Sequence, residues 1–289
     1  MRQRKIDLFT VVNVMVLALV GFLSLYPFWY MIVVSLSSSE HVIRNEVFLF
    51  PKGFTLDIYQ YVLQDKRIWT GYKNTIIYTV LGTFLSLMLT AMGAYSLSRA
   101  NFVFKKFFML MIVFTIVFNG GMIPTFLVVR SLGVMDTIWA MVIPGLISTW
   151  NLIIMRTFFQ GIPHELVESG KIDGLNDLGV FTRIILPLSK SVLATIGLFY
   201  AVGIWNNFFH ALLYLRNADL FPLQVFLRNI VLAGQVQDGT FGGGGDGEMM
   251  IDESLKFATI MVSTLPIIMV YPFLQKYFVK GVLIGSLKG

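Results

Sequence analysis

Polar positions are missing from this sequence over long distances. Six stretches run without an Asp, Glu, Lys or Arg: Leu8–Ser39, Asn74–Ser98, Phe107–Val129, Thr137–Met155, Ser191–Leu215 and Phe257–Gln275. A bilayer core is about 30 Å thick and a helix rises about 1.5 Å per residue, so roughly 20 apolar residues cross it. A barrel strand would show about 10 residues of alternating character, whereas these runs are longer and apolar on every face. Backbone polar groups cannot stay unpaired in hydrocarbon, so the pattern predicts helices. The expected fold is an all-α membrane protein with six transmembrane helices, at about 8–36, 74–98, 107–129, 137–156, 190–215 and 257–276, in a single domain over 1–289.

Composition agrees. Of 289 residues, 56% are hydrophobic and 13% charged, and 26 are Phe; the mean hydropathy is +0.75. Soluble domains carry about 25% charged residues, so the apolar surplus here has to face lipid. Arg2, Arg4 and Lys5 precede the first run as they would a signal peptide. The apolar part far exceeds the roughly 7–15 residues of a signal h-region, which makes it a retained span. Its Tyr26-Pro27-Phe28-Trp29-Tyr30 cluster suits a kink or an interfacial aromatic belt.

Charge sets the orientation. With six spans both termini share one side, which totals +8 against −2 on the other, together the +6 of the chain. Basic loops stay inside, so both termini are expected in the cytoplasm, and the basic excess reads as loop anchoring rather than nucleic-acid binding. The long first outer loop supplies five of the nine basic residues outside. Cysteine is absent, and His41, His164 and His210 are too dispersed for a metal site.

The inner loop between spans four and five, about 160–187, is longer than a turn requires. Pro163 fits a first helical position, and Glu165 and Glu168 lie near the positive end of that helix's dipole. Leu166, Gly170 and Ile172 make the helix short and amphipathic, and Gly174 ends it. Asn176 or Asp177 caps a second helix through Leu178, Phe181, Ile184 and Ile185, which Pro187 ends. The result is a helix–glycine–helix elbow on the cytoplasmic face. It is either a surface hairpin joining two spans or a docking surface for another protein.

Glu168-Ser169-Gly170, then Gly174, then Ile185-Leu186-Pro187 resembles the EAA motif of ABC-importer membrane subunits. Further matches are Pro163-x-Glu165-Leu166-x-Glu168, Ile172-Asp173-Gly174, Trp205-Asn206 and the ending Gln275-Lys276-Tyr277-Phe278-Val279-Lys280-Gly281. Together they are similar to the binding-protein-dependent carbohydrate permeases, within them the maltose-permease-like group, and there the permeases for complex oligosaccharides. Both motif alanines are replaced, by Ser169 and Gly170; small size is kept, but Gly170 lowers helix propensity by about 1 kcal/mol against Ala.

That resemblance implies a multi-pass subunit of the bacterial cytoplasmic membrane with no catalytic residue. The elbow would be a coupling helix, with Glu165, Glu168, Ser169, Gly170, Asp173 and Gly174 at its contact with an ATPase. It implies a homologous second permease subunit, two ATP-binding subunits, an extracytoplasmic solute-binding protein and an oligosaccharide substrate. The chain itself should bind no cofactor, leaving ATP and Mg to the ATPases, since Gly170-Lys171 is followed by Ile172 and the phosphate-cradling GxxxxGK[ST] pattern is missing. The run Gly242–Gly245 also lacks the lysine and reads as an outer-loop tip, either disordered or reaching for the binding protein.

Polar and aromatic residues in or near the spans are candidates for the translocation path: Asn119, Asn151, Trp205, Asn206, Asn207, Phe208 and His210, with Phe209 adding a face for a sugar ring. Each taken singly also suits an interhelical hydrogen bond. No Asp, Glu, Lys or Arg lies inside the six runs, which argues against a stand-alone proton- or ion-coupled transporter. That transporter and an ABC permease for a non-sugar solute are the alternatives.

Overall fold

The computed structural model describes residues 8–236 and 253–286, with side chains for 8–232 and 253–269, and holds no strand among them. The amino-terminal charges Arg2, Arg4, Lys5 and Asp7, and the glycine run Gly242–Gly245, lie outside the described residues. The chain divides into two compact units, Met1–Ile68 with Leu227–Leu265, and Trp69–Phe226 with Pro266–Gly289.

In the first unit, α1 (Leu8–Ser35) continues through Pro27 and has no buried residue before Val33. A helix so apolar and so uncovered is suited to lipid. Beyond it the chain folds back through α2 (Ser39–Ile43) and α3 (Asp57–Gln64). The Trp29 indole N–H donates to the Leu49 carbonyl at 2.8 Å. Ser37 Oγ donates to Val33 O at 2.7 Å and accepts from Lys52 N at 3.2 Å. Val33, Val34, Val42 and Val47 form a small core with Tyr30 and Phe257 against it.

The second unit is threaded by α4 (Lys66–Ser98), which begins in the first. Asp65 starts it, accepting from Arg67 N at 2.8 Å and pairing with the same residue's guanidinium at 2.7 Å. Next come α5 (Lys105–Val117), α6 (Met122–Ser131), α7 (Ile138–Val142) with a 3₁₀ turn at Ile143–Gly145, and α8 (Thr149–Gln160). They lead into α9 (His164–Ile172), α10 (Asp177–Val180), a π-helical turn at Phe181–Ile185, and α11 (Leu186–Leu188). The order closes with α12 (Lys190–Trp205) and α13 (Phe209–Tyr214), then α14 (Leu223–Val236), which passes into the first unit, and α15 (Glu253–Ser286), which begins there.

Six uninterrupted spanning helices do not appear among the described residues. Among the described residues, α1 and α4 alone are long and apolar enough to cross a membrane singly. Two bent pairs raise the number to at most four: α7 and its 3₁₀ turn with α8, bent 54°, and the α10–α11 segment with α12, bent 83°. Each break has a local cause that hydropathy does not register. The run at 107–129 parts at Asn119-Gly120-Gly121, where Gly121 takes a φ of +82° and its N–H donates to Asn119 Oδ1 at 2.9 Å. The run at 137–156 parts after Pro144, and Ser148 Oγ restarts the helix by accepting from Asn151 N at 3.4 Å. The run at 190–215 ends at Trp205, where Asn206 Nδ2 donates to Val202 O at 2.9 Å, and resumes at Phe209.

The segment before α14 is fastened to α4. Asn74 Nδ2 donates to Asp219 O at 2.7 Å and to Phe221 O at 3.1 Å. The Tyr78 hydroxyl donates to Leu220 O at 2.7 Å, and Thr75 Oγ1 accepts from Leu223 N at 2.9 Å. A Cβ on Gly71 would stand 3.0 Å from the Leu223 Cα, so that crossing is set by backbone proximity.

A second fastening joins the α6–α7 loop to the end of α13. Asp136 sits at a φ of +58°, its N–H donating to Tyr214 O at 2.9 Å. Its Oδ1 accepts from Arg216 N and Asn217 N, both at 2.9 Å. Those two backbone N–H groups hold the carboxyl below its usual pKa. A folded-state pKa below the unfolded one means the clamp stabilises above the ordinary carboxylate range and fades as pH falls through the lowered value. Asp136→Asn, which tolerates the left-handed backbone, should melt between wild type and Asp136→Ala at pH 7. Thermal unfolding of the purified protein in detergent measures this, and equal melting of the Ala variant and wild type would count against the clamp.

Candidate functional site

The elbow is built by backbone capping. Helix α9 starts one residue after Pro163, which stands at its N-cap. It closes with a double hydrogen bond, Leu175 N to Gly170 O at 2.9 Å and Gly174 N to Lys171 O at 3.1 Å, and Gly174 takes a φ of +84°. This is the Schellman arrangement, in which the residue after the C-cap adopts the left-handed conformation. Asn176, not Asp177, caps α10, accepting from Gly179 N at 2.7 Å; Asp177 instead receives Lys171 Nζ at 3.0 Å. Pro187 does not end the second helix. The π-helical turn at Phe181–Ile185 precedes it, and the helix runs on to Leu188 before the 83° bend into α12. A π turn shifts the hydrogen-bond register, so a proline can come after it without breaking the helix.

The buried face also differs from the expected one. Val167 and Gly170 point inward, while Leu166 is 42% exposed and Ile172 86% exposed. Gly170 has its own reason to lack a side chain. A Cβ there would meet Ile184 Cδ1 at 2.5 Å, with Leu175 and Val180 next nearest. Val167, Val180, Phe181 and Ile185 belong to one buried cluster with Ala91, Ala94 and Tyr95 of α4, Met155 and Phe159 of α8, and Val192, Ile196 and Tyr200 of α12. Elbow and long helices thus share a core. The opposite side stays open: Leu178 is 65% exposed, and Glu168 pairs with His164 Nδ1 at 3.0 Å on the surface.

Between this elbow and the end of α4 lies a cavity of about 470 Å³, whose lining includes Tyr95, Arg99, Asn101, His164, Glu168 and Lys171. The Arg99 guanidinium carbon sits 4.4 Å from the Tyr95 ring centroid. A cation over a ring face gains electrostatic attraction but no hydrogen-bond acceptor.

The candidate path residues divide by helix break. Asn207 and His210 meet, with Asn207 Nδ2 and His210 Nδ1 2.8 Å apart and His210 N donating to Asn207 Oδ1 at 3.1 Å. The His210 ring centroid lies 5.5 Å from that of Tyr214. Phe208 and Phe209 are both exposed, edge to face. Trp205 is buried and its indole N–H finds no acceptor among the described residues. Asn206 turns back on α12. Asn119 bonds within its own turn, and Asn151 is buried in the first turn of α8.

One group escaped sequence reasoning. The Tyr200 hydroxyl lies 2.7 Å from Thr90 Oγ1 of α4 and accepts from Ser148 N at 2.9 Å, so it bridges α12, α4 and the break before α8. The signal was a tyrosine in the middle of an apolar run, whose hydroxyl must find a partner when buried.

Residues 68–284 match the family described as binding-protein-dependent transport system inner membrane component. The chain belongs to that family. Protein LplC of Bacillus subtilis (strain 168) is 45% identical over 281 residues, 97% of this chain and 95% of that protein. The polygalacturonan/rhamnogalacturonan transport system permease protein YtcP of the same strain is 43% identical over 289 residues, 100% of each. A crystal structure of a bacterial ABC transporter involved in the import of the acidic polysaccharide alginate contains a chain 36% identical, with a TM-score of 0.85, covering 96% of this chain and 99% of that one. This inner-membrane component is therefore a permease subunit of type I ABC-importer fold, and not an enzyme.

Substitutions at two positions probe how this permease is held together. Gly174→Val should cost about 1–2 kcal/mol through the left-handed backbone alone, since nothing crowds the position, and Gly174→Asn should cost less. Tyr200→Phe leaves the Ser148 N–H unpaired and should cost about 1–3 kcal/mol. Unfolding of purified variants in detergent reads both; a Tyr200→Phe variant as stable as wild type would show that the bridge carries no weight.

Proposed function

We propose that this permease supplies half of the translocation pathway of an ATP-driven importer of oligosaccharides and that the α9–α11 elbow is its coupling helix. The observation that carries the reading is the shared core: a push on the elbow cannot be absorbed locally, because Val167, Val180, Phe181 and Ile185 pack into α4, α8 and α12. Exposed Leu166, Ile172 and Leu178 beside surface acids supply the apolar centre and charged rim of a protein contact. In this reading Glu165, Glu168, Ser169, Asp173 and Gly174 form the ATPase contact, whereas Gly170, expected there too, is buried against Ile184 inside the elbow.

The six apolar runs cross the cytoplasmic membrane with both termini inside, three of them as broken helices. A second, homologous permease completes the pathway, two ATP-binding subunits hold ATP and Mg, and a solute-binding protein delivers cargo outside. Breaks in membrane helices expose backbone and polar groups where a pathway needs them. The stretch from Trp205 to His210 supplies both stacking faces and hydrogen-bonding groups suited to sugar hydroxyls. Asn119 and Asn151 mark the two other breaks. The chain contributes no catalytic step: ATP binding closes the ATPases, the elbow moves as one piece, and the spans rock to alternate access.

Reconstitution into liposomes with the partner permease, ATPases and binding protein tests the proposal. Uptake of oligosaccharides should require every component and ATP; the relatives point first to fragments of polygalacturonan, rhamnogalacturonan and alginate. Glu168→Lys or Gly174→Asp should insert normally and lower uptake at least tenfold. Transport by the chain alone, or wild-type uptake by both variants, overturns the proposal.

A further inference from the structure

The cavity between α4 and α9 contains a charge with nothing to do. Arg99 lines it, yet neither Nε nor Nη2 has a hydrogen-bond acceptor among the described residues, and both atoms are shielded from water. Two guanidinium nitrogens shielded from water and left without acceptors are costly, while the third, Nη1, is not shielded and the residue is half-buried. The acids at the rim are already engaged, Glu168 with His164 and Asp177 with Lys171, each at 3.0 Å. The backbone around Arg99 is fixed as well, its N–H donating to Ser96 O at 3.3 Å and its carbonyl accepting from Lys105 Nζ at 3.0 Å. The side chain is held over the Tyr95 ring, and the Tyr95 hydroxyl donates to Asp177 O at 3.3 Å. The cation is thus tied to the elbow through a ring but neutralised by neither.

We propose that the cavity receives a carboxylate side chain of the ATP-binding partner and that Arg99 is its receptor, a second contact point beside the acidic elbow. This rests on the docking role proposed for the elbow. A carboxylate entering the cavity meets Nη1, the guanidinium nitrogen that is not shielded, in a charge-assisted hydrogen bond. Acids at the rim with a cation within call for a partner surface of opposite pattern, with cations outside and one acid reaching in, which gives register as well as attraction. The rim acids would repel the phosphates of a membrane surface. Ala100 and Asn101 beside the cavity are exposed and lie outside any helix, so this rim can shift as a side chain enters.

The test uses the full importer. The chain has no cysteine, so Asn101→Cys places one label at the cavity. Maleimide labelling of membrane vesicles should slow at least tenfold when the ATPases are bound, and a photo-crosslinker at the same position should map to an acidic segment of the ATPase. Arg99→Gln should lower the ATPase retained on purified permease at least tenfold at physiological salt, with Arg99→Lys recovering part of it and membrane insertion normal in both. Arg99→Gln retaining ATPase like wild type while Glu168→Lys loses it overturns this proposal and leaves elbow docking intact. Retention by both variants overturns the docking role itself. Protection of Asn101→Cys in ATPase-free vesicles containing anionic lipid, and its loss in neutral ones, makes the ligand a lipid headgroup and also overturns it.

Discussion

One buried cluster governs the rest of this structure. A connection on a membrane surface normally packs weakly, and a force applied to it dissipates in the loop. Here Val167, Val180, Phe181 and Ile185 interdigitate with Tyr95, Met155, Phe159 and Ile196, so the elbow is an extension of the helix core. Dense packing leaves such a core little room to deform, so displacement is passed on rather than absorbed. Small residues make the approach possible. Gly170 brings the α9 backbone against Ile184, and Gly174 turns the chain at once toward the cap at Asn176.

The second constraint is the treatment of broken helices. Each break frees backbone groups that hydrocarbon cannot hydrate, and each is answered from nearby. Asn119 serves Gly121, Ser148 serves Asn151, Tyr200 serves Ser148, and Asn206 serves Val202. The short polar side chains that a hydropathy profile treats as minor interruptions are the structural joints. In the proposed membrane arrangement, their placement at the same breaks as the candidate path residues comes from one requirement, because irregular backbone at membrane depth survives only where protein or a polar cavity satisfies it.

Charge is arranged on a third principle. Asp, Glu, Lys and Arg are kept out of the apolar runs and gathered at the ends, where partners include Arg67 for Asp65, His41 for Glu46 and two backbone amides for Asp136. Exposed pairs of this kind add little stability and chiefly fix geometry. Arg99 departs from the rule, as a shielded cation on an aromatic face, and it stands beside the surface proposed to meet another subunit.

The sequence by itself determined the helical class, the lipid-facing composition, the family and the place of the elbow. These depend on patterns summed over many residues, and the sum survives local error. It also announced the turn at Gly174, since few other residues tolerate that backbone. Tertiary structure decided what depends on single atoms. The apolar runs at 107–129, 137–156 and 190–215 looked continuous because glycine, asparagine and serine barely lower a hydropathy average, yet each can end a helix. The inward face of α9 proved to be Val167 and Gly170 rather than Leu166 and Ile172, because a nine-residue amphipathic helix allows more than one burial and Ile184 and Val180 choose. Tyr200 was visible only as a tyrosine inside an apolar run, without its partners, and Arg99 only as one basic loop residue among several. Their roles arise from neighbours 52 and four residues away, and only the folded chain brings a Ser148 amide to one and a Tyr95 ring to the other.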